Sequence, residues 1–413
     1  MELFNAFTIL ISVSAIFSFL NVKYLKLPTT IGIMLIGLLT SLAIVGLGNV
    51  YPSVFTNAVN FARSIDFSKV LMEVMLSFLL FAGALHIDVK TLAEERYPIL
   101  LFTTVGVLVS TFLVAGLMYV CVGFIGLELP WIYCLLFGAL ISPTDPIAVL
   151  AILKVAHVPK KLEVKIAGES LFNDGVAVVV FLSVYYIAKT GWENVGWSGV
   201  GILFLQEAVG GVIFGLALGW VGFYLLRAID AYSVEVLITL AMVMGGYSLA
   251  SYLHLSAPLA IVVAGLVTSD RARSLAMSDI TREYVDKFWE MIDEILNAVL
   301  FLLIGFEILA LTFVYKYFWA GLLAFVVVLL ARFISVGLPI NLMKIKRQFV
   351  PHTLTVLTWG GLRGGISIAL ALSLSPKMYR EPIVAITYIV VICSIVLQGL
   401  TISPLLRKLK ITD

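Results

Sequence analysis

The chain has 413 residues, of which 61% are hydrophobic and only 13% charged, and its mean hydropathy is +1.09. Those values exclude a soluble globular chain and describe a polytopic membrane protein built as one unit. A formal net charge of +2 gives no reason to expect nucleic acid as a partner. Cys121, Cys134 and Cys393 lie in apolar runs without paired spacing, so neither a disulfide framework nor a thiolate metal site is expected.

In chain order, thirteen apolar segments run at about 4–20, 30–49, 70–87, 99–123, 131–153, 162–188, 200–227, 233–253, 257–269, 288–314, 317–343, 351–375 and 382–406. A helix that crosses a bilayer takes about 20 residues, so the ninth segment is too short to cross upright and is expected to be tilted or re-entrant. The N-terminus has no basic region or small-residue cleavage site, so 4–20 reads as a retained first span. The loops are short and the chain stops just after the last segment. That predicts one membrane domain over 1–413 and no soluble regulatory domain. Trp131 and Trp192 near segment ends read as interface belts, and His86, His157, His254 and His352 as interfacial anchors.

Orientation follows from the basic residues. With the N-terminus outside, the inside loops hold 19 of the 27 lysines and arginines: Lys23, Lys26, Lys90, Arg96, Lys154, Lys160, Lys161, Lys165, Arg227, Arg271, Arg273, Arg282, Lys287, Lys344, Lys346, Arg347, Arg407, Lys408 and Lys410. The outside loops hold 6, namely Arg63, Lys69, Lys189, Lys316, Lys377 and Arg380. That asymmetry predicts an outside N-terminus and a cytoplasmic C-terminus, in a cell (plasma or inner) membrane. Arg332 and Arg363 remain, both inside apolar segments.

The fifth segment carries Ser142-Pro143-Thr144-Asp145-Pro146 near its centre. Proline removes a backbone donor and clashes with the preceding turn, so Pro143 and Pro146 are expected to break the helix. The twelfth carries Gly360-Gly361-Leu362-Arg363-Gly364-Gly365, also central. Glycine costs a helix about 1 kcal/mol per residue, and Gly361 and Gly364 are expected to let the backbone unwind there. Small residues also serve close helix packing in membranes, which accounts for the glycines but not for a midplane arginine. The two broken segments are seven apart, so they cross in opposite directions, as inverted repeats of segments 1–6 and 8–13 require. Such a pair of interrupted segments is a strong pointer to a transporter binding site.

Between them, the sixth segment carries Gly168-Glu169-Ser170-Leu171-Phe172-Asn173-Asp174-Gly175. Glu169 and Asn173 are four apart, as are Ser170 and Asp174, so they form adjacent stripes on one helix face. Asn-Asp-Gly is more usually a surface turn. Cutting the run there would leave 176–187, about half the roughly 20 residues a span needs. As a helix, the run puts Asp174 at mid-membrane, where a charge costs roughly 2.5–3.5 kcal/mol and marks a functional site.

Unwound backbone at that depth needs protein, an ion or water to satisfy it. Thr144, Asp145, Ser170, Asn173 and Asp174 supply hard oxygen donors without His or Cys, a set suited to a small alkali cation rather than a soft metal. Burial favours the protonated carboxyl and a bound cation the ionised one, so proton and cation compete. Asp174 is the expected competing carboxylate, with the cation held by Asp174, Ser170 and Thr144. Asn173 is a neutral ordering amide, and Asp145 offsets an exposed helix terminus. Arg363 needs an anion, and Glu169 is its expected ion-pair partner. For Asp145 and Glu169, both a structural pairing and direct ion contact stay open. Glu290, Asp293 and Glu294 read as a solvated helix end, or as a lure for cations at an inward funnel. No cofactor is expected beyond the transported cation and proton, and no enzymatic activity. An intramembrane aspartyl hydrolase using Asp145 and Asp174 is the alternative from another class, but leaves the hydroxyls and the buried arginine without a role. A cation channel is a second, less suited to one asymmetric midplane site.

The motifs Ser142-Pro143-Thr144-Asp145-Pro146, Glu169-Ser170-Leu171-Phe172-Asn173-Asp174-Gly175 and Gly361-Leu362-Arg363-Gly364-Gly365 resemble those of the monovalent cation:proton antiporter-1 family, the NhaP-like and NHE-type sodium/proton exchangers. Phe288-Trp289-Glu290 with Asn297, Phe301 and Gly305 resembles a fourth family region. The resemblance implies an all-α fold of thirteen helices and a homodimer in lipid. It also implies a mobile core from segments 4–6 and 11–13, roughly 99–188 and 317–406, which shifts like an elevator against a dimerisation part made of the remaining segments. The Asn-Asp pair resembles the electroneutral branch, implying one cation exchanged per proton, with Na⁺ or Li⁺ as the cation at Asp174, Ser170 and Thr144. Many relatives have an acidic residue where this chain has Ala82, so a K⁺/H⁺ exchanger of the same fold is the nearest alternative. Glu73, nine residues off, is a poor substitute for that acid.

Overall fold

The computed structural model describes residues 2–48, 50–156, 158–269, 277–311, 314–344 and 349–411. His157, Arg271, Arg273, Lys346 and Arg347 lie outside the described residues, as do the side chains of Arg63 and Lys154. Among the described residues all regular structure is helical, apart from one isolated bridge between Asp145 and Leu362. Nine of these helices are long and apolar enough to cross a membrane, and they fall on the first four, sixth, seventh, eighth, eleventh and thirteenth segments.

The sixth segment is one helix, Lys160–Thr190, of 31 residues. At 1.5 Å per residue it is about 46 Å long, more than the roughly 30 Å of a hydrocarbon core. It starts after Pro159 and stops at Gly191, which adopts a φ of +85° that only glycine takes without strain. Its N-terminal turns are not a loop: Lys165, counted above among the loop lysines, is buried and pairs with Glu95 at 3.2 Å. The ninth segment is the short helix Ala257–Val267, and nine consecutive residues of it, Ala257 to Gly265, are buried. A helix apolar on every side suits this fully enclosed position.

Two boundaries differ from expectation. The tenth helix begins at Asp279 rather than near 288, because Ser278 accepts the N–H of Thr281 and caps a polar first turn. The stretch between the second and third segments, expected as a loop, holds the amphipathic helix Pro52–Ser64.

The fourth, fifth, sixth, eleventh and thirteenth segments share one apolar cluster that includes Val114, Phe137, Phe181, Ala331 and Ile386. The third, eighth, ninth and tenth meet around Phe81, Val243, Val262 and Trp289. There the Trp289 ring lies 4.7 Å from that of Phe81, and its indole N–H donates to Thr239 Oγ1 at 3.1 Å. The second and tenth helices approach closely enough for Ser41 Oγ to donate to the Gly305 carbonyl at 3.0 Å.

Candidate ion-binding site

Both expected helix breaks are present, and they cross. The fifth segment is the helix Trp131–Ile141, an extended stretch through Pro143 and Pro146, and the helix Ile147–Val155. The twelfth is Thr353–Trp359, an irregular stretch through Gly361 and Gly364, and Gly365–Leu372. At the crossing the Asp145 N–H donates to the Leu362 carbonyl at 2.8 Å. Gly364 permits this approach, since a Cβ there would stand 2.6 Å from Asp145 Cβ. Asp145 also accepts the Ile147 N–H at 3.0 Å, so its carboxylate caps the second half-helix at the positive end of its dipole.

The two buried arginines have different partners from those expected. Arg363 is not paired with Glu169. Its Nη1 donates to the carbonyls of Ile141, Ser142 and Pro143 at 2.5, 2.6 and 3.0 Å. The end of a helix leaves carbonyls unsatisfied and carries partial negative charge, so a half-helix ending inside the protein is itself a partner for a cation. Glu169 is instead held by Arg332 of the eleventh helix. Arg332 Nη2 donates to Oε2 at 2.8 Å and Nη1 donates to Oε1, the planar fork that suits a carboxylate. Arg332 Nε reaches the Leu357 carbonyl at 3.3 Å, tying the pair to the helix before the second break. Arg332 was visible as a charge in an apolar run; nothing in the spacing of residues separates it from Arg363 as a partner for Glu169.

The remaining polar groups meet the first break. Asn173 Nδ2 donates to Thr144 Oγ1 at 2.8 Å, and Asn173 Oδ1 accepts the Thr144 N–H at 3.4 Å. Ser170 Oγ donates to the Thr144 carbonyl and accepts from Thr144 Oγ1 at 3.4 Å. Asp174 follows Ser170 by one turn. It is 7% exposed, and its carboxylate makes no hydrogen bond among the described residues.

Asp174 faces a cavity of about 1010 Å³ whose wall also includes Thr144 and Asp145. The same wall reaches Glu290, Asp293 and Glu294 of the tenth helix, so the acidic cluster and Asp174 border one space. Ala82 also stands in the wall and is itself fully buried. Asp88 stands in the wall beside Lys160. It caps the helix Val89–Glu94 and pairs with Lys160 at 2.5 Å, which holds its carboxyl down at about 2. This geometry sets a carboxylate that has no hydrogen bond among the described residues beside hydroxyl and carbonyl oxygens, on a space wide enough for a hydrated ion.

A sequence model of the family described as "Sodium/hydrogen exchanger, transmembrane" matches residues 9–408. The chain is 50% identical over 404 residues to the Na(+)/H(+) antiporter NhaP of Pseudomonas aeruginosa, covering 97% of this chain and 95% of that protein. It is 34% identical over 400 residues to the Na(+)/H(+) antiporter NhaH of Halobacillus dabanensis, covering 94% and 93%. The fold is similar to the solved structure of the sodium proton antiporter MjNhaP1 from Methanocaldococcus jannaschii, with a TM-score of 0.78 at 20% identity over 99% of each chain.

Proposed function

We propose that this chain, which belongs to the transmembrane sodium/hydrogen exchanger family, runs its exchange of Na⁺ for H⁺ through one carboxylate, Asp174. The observation that carries this reading is the contrast along one helix. Glu169 is neutralised by Arg332, and Ser170 and Asn173 are bonded to Thr144, whereas Asp174, in the same mid-helix cluster, has no hydrogen bond among the described residues and faces the cavity. A cation at Asp174 draws further oxygens from Ser170 and Thr144, while Asn173 holds Thr144 in register. Asp145 lies close by and keeps the second half-helix capped. Arg332 and Arg363 hold the frame and carry no ion.

Proton and cation exclude each other at Asp174, because each neutralises the same charge. Exchange follows when only the neutralised site changes sides. With one titrating group the cycle moves one cation per proton and no net charge. The moving body is the core of segments 4–6 and 11–13, arranged as halves of the inverted repeats 1–6 and 8–13. It slides against the remaining segments, which join two copies into a homodimer in the lipid. The cavity wall includes Asp88 and Lys160, on the side that the lysine and arginine distribution assigns to the cytoplasm, so this is the inward-facing arm of the cycle, in a cell membrane with the C-terminus inside.

The test is proton flux in proteoliposomes driven by Na⁺, Li⁺ or K⁺ in turn. Flux driven by Na⁺ or Li⁺, with a reversal point indifferent to a valinomycin-set potential, is the expected result. Flux driven by K⁺ alone would replace Na⁺ as substrate. A reversal point that moves with the potential, which acts on each net charge with about 2.3 kcal/mol per 100 mV, would overturn the electroneutral cycle.

A further inference from the structure

One buried polar group on the cavity wall has no role in the site described above. Asn297 of the tenth helix is 3% exposed, and its Oδ1 has no hydrogen-bond partner among the described residues. An amide buried in that way is costly, and it is rarely retained without a partner or a ligand. Its place on the helix supplies the context. Glu290, Asp293, Glu294 and Asn297 stand at i, i+3, i+4 and i+7, one face of the helix Asp279–Glu307, and all four line the cavity. Leu300, three residues further, touches the second break: a Cβ on Gly365 would meet its Cδ1 at 2.6 Å. Gly365 adjoins Gly364, which abuts Asp145. The polar stripe therefore runs from three carboxylates to one neutral amide and ends a single turn short of the crossing.

We propose that Asn297 is the inner rung of a cation path along the tenth helix, a transient ligand for the ion on its way to the exchange site. This rests on the reading that the cation's destination is Asp174. The carboxylates gather cations by charge. The amide oxygen then takes the place of part of the hydration shell before the ion reaches Asp174. A half-turn of the side chain exchanges its oxygen and nitrogen, so the oxygen reaches the cavity without backbone movement. Neutrality matters at this rung. A carboxylate here would hold the cation by charge and compete with Asp174, whereas an amide offers a hard oxygen that releases it.

The test measures Na⁺-driven proton flux in proteoliposomes containing Asn297→Ala, Asn297→Asp or the unchanged protein, with Asp174→Asn as the reference. Thermal stability is followed in parallel. Asn297→Ala is expected to raise the apparent KM for Na⁺ by roughly threefold to tenfold, the loss of one neutral ligand contact, with kcat retained. Asn297→Asp is expected to lower both KM and kcat, because the ion is held before its destination. Asn297→Asp is nearly isosteric and keeps the test decisive if Asn297→Ala fails to fold. KM within twofold of the unchanged protein in the folded variants, or losses of rate that track stability alone, would overturn the proposal. The outcomes separate the two claims. Flux abolished by Asp174→Asn with KM unmoved at Asn297 removes only the path, whereas flux surviving Asp174→Asn removes the destination itself.

Discussion

The pairing of Glu169 with Arg332 predicts a specific energetic signature. Glu169 is 1% exposed, and both its oxygens are engaged by the Arg332 fork. Arg332→Ala leaves that carboxylate buried without its counter-charge, and breaking a buried pair in this way costs about 3–5 kcal/mol. Glu169→Gln in the same background removes the stranded charge and is expected to restore much of the loss, giving a coupling energy of at least about 2 kcal/mol, well above the few tenths expected of independent sites. Arg363→Ala acts differently. It removes the donor shared by the carbonyls of Ile141, Ser142 and Pro143, so it destabilises the first break, and Glu169→Gln is not expected to rescue it. The assay is a double-mutant cycle on purified protein in detergent, read by denaturant or thermal unfolding, for the pairs 169/332 and 169/363. Additive energies for Glu169 and Arg332, or a larger coupling of Glu169 to Arg363, would refute the assignment.

Two further substitutions probe the crossing and the rim of the cavity. Gly364→Ala places a methyl 2.6 Å from Asp145 Cβ. Overpacking of that kind costs about 1–3 kcal/mol, and exchange is expected to fall steeply in protein that still purifies as a folded species; near-normal flux would show that the crossing tolerates separation. Asp88 is a control. Its carboxyl is lowered from 3.8 to about 2 by Lys160, so its stabilisation is complete above the ordinary carboxylate range and is lost only as pH falls toward 2. Asp88→Asn, which keeps the cap, is therefore expected to leave the pH profile of flux between pH 5 and 9 unchanged and to cost at most about 1 kcal/mol at this exposed pair. A displaced acidic limb in that variant would contradict the assignment of the profile to Asp174.

Much of the site could be read in the sequence because membrane-spanning segments are restricted in composition. An Asp at the centre of 162–188, two prolines three apart and glycine doublets around an arginine each violate the apolar pattern, and each marks a place where the structure does something other than span. Partner choice was not legible. Arg332 and Arg363 are alike as residues in apolar runs, and only the position of a half-helix end, where carbonyls of 141–143 converge, decides that one arginine binds backbone and the other a carboxylate. The start of the tenth helix was also hidden, since hydropathy registers the membrane and not a capped polar turn at Ser278. The orphaned amide of Asn297 was legible only as part of a motif. That its oxygen has no hydrogen-bond partner among the described residues, like the stripe it shares with Glu290, Asp293 and Glu294, is a property of the packed tenth helix.

The central claim, that proton and cation compete for one carboxylate, is tested most directly by the apparent KM for Na⁺ as a function of pH in proteoliposomes. The unchanged protein is to be compared with folded Asp174→Asn. One-for-one competition predicts a KM that falls toward tenfold per pH unit on the acidic side and flattens once Asp174 is largely ionised. Asp174→Asn, which keeps the shape and removes the charge, is predicted to show no Na⁺-coupled proton flux. A KM for the unchanged protein that is flat across the acidic limb, or near-normal flux with the same pH dependence in Asp174→Asn, would place the exchange site elsewhere.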